Sequence, residues 1–420
     1  MKKMNFSYIV LLLTIFLLTY NSVQAQKLIT DSLLVEVIDQ VRLENYTKAI
    51  KMAQQGIEHA PDYLDFHLFL GRSYQMTKQI DTARYYLNHV IEKNKNYKAS
   101  FTYLINLELE AKAYKEASRV INLAIAAHPE DREFALKKAL VYQLQKDIGS
   151  AIKYLKELEG KYPKDAEIKQ QLVLLESKLR SDRIGFGYTL TSIDRDPVGP
   201  WHLGSVHYIR ERHWGSLIGK LNYANRMSGG ESLKNGWQYE LESYLFMGKR
   251  GYSYANIAFS DAPVFPQWRF GYSYYHNLPK AWEIEIGGRY TKAENVSFAT
   301  GVAGVGKYIG SSWINLRGYF MELDKKWYPA LTLTTRYYFD TRFDYATLIA
   351  GYGTTPDDRS VQGLIDQRLS LLSYRFGGGY YRIFNRRYIT GVQLMYNNQE
   401  YIHDKRQNEV EVFLSLQYKF

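Results

Sequence analysis

Residues 409–420 read Glu-Val-Glu-Val-Phe-Leu-Ser-Leu-Gln-Tyr-Lys-Phe. Successive side chains of a strand point to opposite faces. Val410, Val412, Leu414, Leu416, Tyr418 and Phe420 therefore share one face, and Glu409, Glu411, Phe413, Ser415, Gln417 and Lys419 share the other. One face is apolar and the other largely polar. Such a strand separates an apolar surrounding from a wet one, and the chain upstream shows which surrounding it is.

The same alternation runs back to about Ser181, in a text of Gly, Tyr, Trp and Thr. Segments of roughly ten alternating residues are the signature of a transmembrane barrel. About fourteen strands are expected between residues 183 and 420, and twelve or sixteen also fit the spacing. They begin near Ile184, His202, Gly215, Gly236, Gly251, Trp268, Trp282, Val296, Ser312, Tyr328, Tyr345, Leu371, Tyr388 and Asn408. Trp237, Tyr239, Leu241, Ser243 and Leu245 oppose Gln238, Glu240, Glu242 and Tyr244. Trp282, Ile284, Ile286, Gly288 and Tyr290 oppose Glu283, Glu285 and Arg289. Ile314, Leu316 and Phe320 oppose Asn315, Arg317 and Tyr319, and Leu331 and Leu333 oppose Thr332, Thr334 and Arg336. A lipid-facing charge at mid-membrane costs about 2–4 kcal/mol. Glu240, Glu242, Glu283, Glu285, Arg289, Arg317, Arg336, Glu409 and Glu411 are therefore the candidate lumen residues, where opposite charges can pair.

Connections alternate in length. Short ones are expected at Arg212–Gly215, Gly248–Gly251, Leu278–Ala281, Ile309–Ser312 and Asn385–Arg387. Long ones are expected at Asp194–Trp201, Met227–Asn235, Ser260–Gln267, Thr354–Ser370 and Asn398–Gln407. Short inner turns and long outer loops are the outer-membrane arrangement. Trp201, Trp214, Trp268, Trp282, Trp313 and Trp327 lie near strand ends, where interfacial girdles form. A soluble all-β domain would leave the outward Tyr and Leu with nothing to bury them.

The first half is helical and periodic. Ala49, Ala83, Ala117 and Ala151 stand 34 residues apart, and Pro61, Pro129 and Pro163 keep the same register, with Lys95 in the remaining slot. A 34-residue helix-turn-helix with these landmarks is the tetratricopeptide pattern. Small Ala lets two helices approach, and Pro ends the second helix because it cannot continue one. Leu70, Gly71 and Tyr74 fill first-helix positions; Phe101, Leu104, Ile121, Tyr142, Leu155 and Leu158 fill large apolar slots; Leu33 and Val37 serve in the first repeat. Residues 26–164 are read as four repeats, an all-α solenoid. Residues 165–182 are read as a capping helix and linker, with Ile168, Leu172, Leu175 and Leu179 on one stripe.

Lys2 and Lys3, the apolar run Ile9–Leu18 and Val23-Gln24-Ala25 compose a signal peptide, cleaved after Ala25. The chain has no cysteine, which excludes a disulfide framework and thiolate metal sites. Its net charge of +11 is dispersed among acidic residues, so no nucleic-acid partner is expected.

Trp201–Leu203, the stretch Gly215–Arg226, Phe265-Pro266 followed by Arg269–Gly271, Glu285–Tyr290 and Tyr308–Gly310 before Trp313 resemble the YaiO-type outer-membrane β-barrel family. Members often carry an N-terminal tetratricopeptide region. The resemblance implies a Gram-negative outer-membrane location and says little about activity. In that setting Tyr418 and Phe420 resemble the insertion signal read by the barrel-assembly machinery. The repeats are expected in the periplasm, with a protein or peptide on their concave face, and the long loops outside the cell.

His202, His207, His213, His276 and His403 sit in no nucleophile, metal or triad motif, and no phosphate-binding or dinucleotide motif occurs. Gly377-Gly378-Gly379 reads as room for a bend or a close neighbour. No enzyme activity and no cofactor are expected. The leading expectation is a conduit or assembly component for a surface or exported polysaccharide, an analogy of architecture. Its lumen path would use Glu240, Glu242, Tyr244, Glu283, Glu285, Tyr319 and Tyr338. The competing expectation is a non-conducting scaffold that anchors the repeats.

Overall fold

The structure is a computed structural model that describes residues 30–293, 296–323, 325–357, 372–402 and 404–420. The signal peptide read at residues 1–25 and His403 lie outside the described residues. Contacts divide the chain between Leu172 and Val173.

The described part of the first unit is built of helix pairs. They are α1 (residues 30–42), α2 (Tyr46–His59), α3 (Leu64–Met76), α4 (Ile80–Lys93), α5 (Lys98–Glu110), α6 (Tyr114–Ala127), α7 (Arg132–Leu144), α8 (Ile148–Lys161) and the start of α9 (Ala166–Lys178). Ala49, Ala83, Ala117 and Ala151 are wholly buried. A Cβ added to Gly71 would lie 2.6 Å from Leu87 Cγ, so only glycine lets α3 approach α4 this closely. Pro61, Pro129 and Pro163 are exposed, each just after the residue that caps a second helix.

Two further periodicities emerge. The turn inside each repeat places one residue in the left-handed region: Glu44, Lys78, Lys112 and Lys146, at φ 59°, 64°, 56° and 62°. Consecutive first helices are also stitched together at their N-termini. Tyr63 Oη donates to Asp31 at 3.0 Å and Tyr97 Oη donates to Asp65; Lys98 then pairs with Asp131 and Arg132 with Asp165. The residue at each N-terminus changes from Tyr to Asp, and its partner changes from acid to base. Asp131 and Asp165 also accept backbone N–H groups of α7 and α9, so each caps its own helix.

The second unit begins within α9. Fourteen antiparallel strands close into a barrel. They are β1 (Asp182–Ile193), β2 (Val198–Arg212), β3 (Gly215–Ser228), β4 (Glu231–Met247), β5 (Gly251–Phe259), β6 (Trp268–Leu278) and β7 (Trp282–Lys292). The rest are β8 (Ser297–Ile309), β9 (Ser312–Leu323), β10 (Lys326–Tyr338), β11 (Tyr345–Tyr352), β12 (Ser373–Phe384), β13 (Tyr388–Ile402) and β14 (Lys405–Lys419). Each strand pairs with its sequence neighbour, and β1 with β14 closes the ring from Arg183↔Lys419 to Ile193↔Glu409. The end where β1 begins is called the near end, and the opposite one the far end. No helix among the described residues is long and apolar enough to cross a membrane.

Three sequence expectations are corrected. Met227–Asn235 and Asn398–Gln407 are not long loops. Strand pairing continues through both, to turns at Gly229-Gly230 and between Ile402 and Lys405. Main-chain pairing needs no apolar alternation, and polar partners such as Asn225↔Asn235 and Asn398↔Asn408 carry the ladder on. Likewise Asp194–Trp201 shortens, because β2 starts at Val198. Trp201 and Trp313 face the barrel interior rather than a girdle: Trp201 is buried under Arg226, and Trp313 alternates with the outward Ile314. Leu179 lies beyond α9 and is exposed, so it is not part of the apolar stripe. Residues 260–267 do form a loop, whereas most of Thr354–Ser370 lies outside the described residues.

Candidate functional site

The barrel interior carries the chemistry. Outward positions are exposed aromatic and aliphatic side chains, among them Trp237, Tyr239, Ile286, Phe320 and Leu414. Of the candidate lumen residues, Glu240, Glu283, Glu285, Arg289, Glu409 and Glu411 are buried on the inner face. Three regions divide that interior.

The first is packed and lies along β3–β9. Glu240 accepts hydrogen bonds from Asn222 at 3.0 Å, Asn256 at 2.8 Å and Arg269 at 3.2 Å, and Lys220 pairs with Glu242 at 2.6 Å. Glu285 receives Arg317 Nε at 2.7 Å and Tyr275 Oη at 2.8 Å, while Tyr252 Oη donates to Glu283 at 3.0 Å. The rings of Tyr252 and Tyr275 stack at 4.4 Å. Asp357, on the segment after β11, reaches into the same network. Arg289 Nε donates to it at 3.0 Å and Tyr319 Oη at 2.9 Å. Arg289 also donates to Ser273 and to the carbonyls of Tyr272 and Gly288, so its fork is saturated.

The second region is open. A cavity of ≈ 520 Å³ runs along β9–β14 and β1, bounded by Arg317, Tyr319, Arg336, Arg375, Glu409 and Glu411, with Thr, Ser, Asn and Gln side chains between them. It reaches from Gln399, near the far end, to Gln417, near the other. Inward glycines shape its wall. A Cβ at Gly351 would lie 2.2 Å from Arg375 Nε, and one at Gly377 2.4 Å from Met395 Sδ. The glycine run thus serves close packing, as its place in a strand suggested.

The third region is a floor at the near end. Phe343, Ile383 and Ile389 are buried together, with Val173 of α9 against them. Arg183, Arg342 and Lys419 surround the Phe343 ring at 5.2, 4.7 and 5.8 Å. Arg342 Nε donates to the Ser177 carbonyl at 2.9 Å and Lys419 Nζ to the Glu176 carbonyl at 2.6 Å. Cations at the C-terminal carbonyls of a helix complement its dipole, so the barrel grips the last turns of α9.

Phe420 and Tyr418 stack at 6.1 Å, and Phe420 exchanges backbone hydrogen bonds with Asp182 at the seam. His202 bonds Tyr188, His276 bonds Tyr274, and His207 borders the cavity. No group of three or more metal-ligating residues occurs among the described residues. Sequence reasoning missed Arg269, Asp357, Phe343 and Arg375. Arg269 and Arg375 could have been found, since each precedes an outward Phe in an alternating strand. Asp357 and Phe343 lie in connections, where alternation gives no signal.

A closed antiparallel barrel with an apolar outside and a charged, hydrogen-bonded inside is a membrane β-barrel. Residues 181–358 match the YaiO membrane beta barrel domain, and residues 34–97 and 104–166 match the tetratricopeptide repeat. The chain therefore joins a tetratricopeptide region to a membrane barrel whose residues up to 358 match the YaiO domain. No curated protein matches it. Among solved structures it is similar to a bacterial polysaccharide outer membrane secretin, at 8% identity over 57% of this chain and 98% of the other, TM-score 0.38. It is also similar to MamA from Desulfovibrio magneticus RS-1, at 16% identity over 35% and 83%, TM-score 0.31. The first tetratricopeptide domain of Spaghetti (RPAP3) bound to an HSP90 peptide follows at 14% identity over 28% and 95%, TM-score 0.27. Likeness at this level says nothing of what this chain binds.

Proposed function

We propose that the barrel is a closed outer-membrane anchor that holds the tetratricopeptide repeats in the periplasm for a protein partner. In this reading residues 1–25 are removed on export, the near end faces the periplasm, the far-end hairpins face outward, and the barrel catalyses nothing. The observation that carries it is the Glu285–Arg317–Tyr275 and Arg289–Asp357–Tyr319 network along the inner wall of β6–β9, which ties in Asp357 from the segment after β11, above a floor of Phe343, Ile383 and Ile389. Hydrogen bonds to charged groups are worth about 1.5–3 kcal/mol each. Opening a pore through this half means giving up several at once.

A second reading, a conduit for a surface or exported polysaccharide, draws support from the elongated polar cavity between Gln399 and Gln417. Planar-bilayer recording of the purified full-length protein separates the two. The anchor reading expects no stable open channel from a folded barrel. Long-lived openings would replace it with the conduit. Protease treatment of intact cells tests orientation: cleavage at Gly229-Gly230 with the repeats protected is the expected pattern.

A further inference from the structure

Among the inward arginines, Arg336 differs from three others. Arg269, Arg289 and Arg317 each face a carboxylate, at 3.2, 3.0 and 2.7 Å. No carboxylate among the described residues pairs with Arg336. Its guanidinium lies over the Trp313 ring at 5.1 Å and over the Tyr345 ring at 5.2 Å. Tyr345 in turn stacks on Tyr381 at 4.6 Å and 16°. Trp313, Arg336, Tyr345 and Tyr381 thus form a column of side chains across β9, β10, β11 and β12, of which Arg336, Tyr345 and Tyr381 line the cavity. Strand register builds it, since Trp313 and Arg336 are direct partners, as are Tyr345 and Tyr381.

The column limits what Arg336 can still bind. Tyr338 takes a hydrogen bond of the guanidinium, and the donors left over lie along its in-plane edge. Its Nε is buried and has no hydrogen-bond partner. A charge away from bulk water without a counter-charge is costly, and a carboxylate arriving edge-on supplies the fork-to-fork contact an arginine favours. The rest of the cavity decides what carries that carboxylate. Thr334, Thr347, Gln393 and Asn397 line it, a set of neutral hydroxyl and amide groups suited to a ligand rich in hydroxyls. Glu409 and Glu411 of β14 flank that wall, Glu409 accepting from Asn397 at 2.9 Å, and would repel an anion held loosely and thereby fix its orientation.

We propose that this cavity binds an acidic saccharide, with a sugar carboxylate on the edge of Arg336 and the sugar hydroxyls on the neutral polar wall. The site goes beyond the anchor reading and holds whether or not the barrel conducts.

The test is equilibrium binding to the full-length protein in detergent, by calorimetry and Trp fluorescence, with tetragalacturonate as probe. Maltotetraose, a glucosamine tetramer and acetate at matched ionic strength are the comparisons. Saturable tetragalacturonate binding is expected, weakened at least tenfold in Arg336→Gln. It should be partly retained in Arg336→Lys and tightened in Glu411→Gln, which removes the repelling charge. Folding of every variant is checked by heat-modifiable gel mobility, and the opposite response of Glu411→Gln cannot come from misfolding. Four outcomes overturn the proposal: no saturable binding by the wild type, equal binding of maltotetraose, preference for the glucosamine tetramer, or acetate competing as well as the oligosaccharide. Unchanged affinity in a folded Arg336→Gln would do so too.

Discussion

Arg317 of β9 donates from Nε to Glu285 of β7 at 2.7 Å, over the top of the intervening strand β8. The residue of β8 between them in register is Gly304. A Cβ there would lie 3.0 Å from the Glu285 carboxylate oxygen. The bridge exists because the middle strand has no side chain at that position. Two charged side chains therefore lie flat across the inner sheet instead of standing into the lumen.

Replacing Glu285 with Gln leaves Arg317 with less compensation in a site where the carboxylate is almost fully buried. Breaking one partner of a buried pair costs about 3–5 kcal/mol. Glu285→Gln is expected to lower the temperature at which the barrel loses its compact gel mobility. The double variant Glu285→Gln/Arg317→Gln should recover part of that loss. Gly304→Val should resemble the single variant, because it blocks the same contact sterically. Equal stability of Glu285→Gln and wild type would show the pair to be incidental.

Phe343 closes the near-end floor. Phe343→Ala removes the ring that Arg183, Arg342 and Lys419 surround. Transient conductance is expected in planar bilayers where the wild type shows none, together with greater sensitivity of cells to large hydrophilic antibiotics. An electrically silent Phe343→Ala barrel would mean that the ion-pair network, not the floor, is the barrier.

Gly71→Ala tests packing in the repeats. The added methyl meets Leu87, and overpacking of this kind costs about 1–3 kcal/mol. The helical circular-dichroism band of the full chain should melt earlier, with the barrel's gel mobility unchanged. Ala83→Leu, at a wholly buried position, should do more damage in the same direction.

The Asp165 carboxyl is held down to about 2 by the Arg132 guanidinium, helped by the backbone N–H groups of Ile168 and Glu167. Its folded value lies below the ordinary 3.8, so its contribution is present above that value and is lost as pH falls toward about 2. Asp131 shifts in the same direction, through Lys98 and the backbone N–H groups of Phe134 and Glu133 acting against burial. Acid titration of the helical signal should therefore show weakening of the third and fourth repeats below about pH 4. Asp165→Asn should be less stable at neutral pH and less sensitive to acid. An Asn variant with the wild-type acid profile would remove this pair from the account.

What the sequence determined by itself is what local periodicity encodes. A 34-residue repeat of Ala and Pro specifies helix pairs, because a small residue and a helix stop are needed at the same place in every unit. A period of two specifies strands and sorts their side chains, so the inward Glu285, Arg317 and Arg336 and the outward Ile286, Leu316 and Tyr337 could be separated from spacing alone. The inward course of Trp313 was equally legible, since it precedes Ile314 in a clean alternation. Proximity to a strand end pointed the wrong way. Tertiary structure alone decided which inward groups meet. Pairing Arg317 with Glu285 depends on the register of three strands and on a glycine in the middle one. Leaving Arg336 without a carboxylate depends on the stagger that sets it beside Trp313 and Tyr345. Bringing Asp357 to Arg289 joins positions 68 residues apart. Alternation gives the side of the sheet, whereas partnership needs the relative slide of strands, which only closure of the barrel sets.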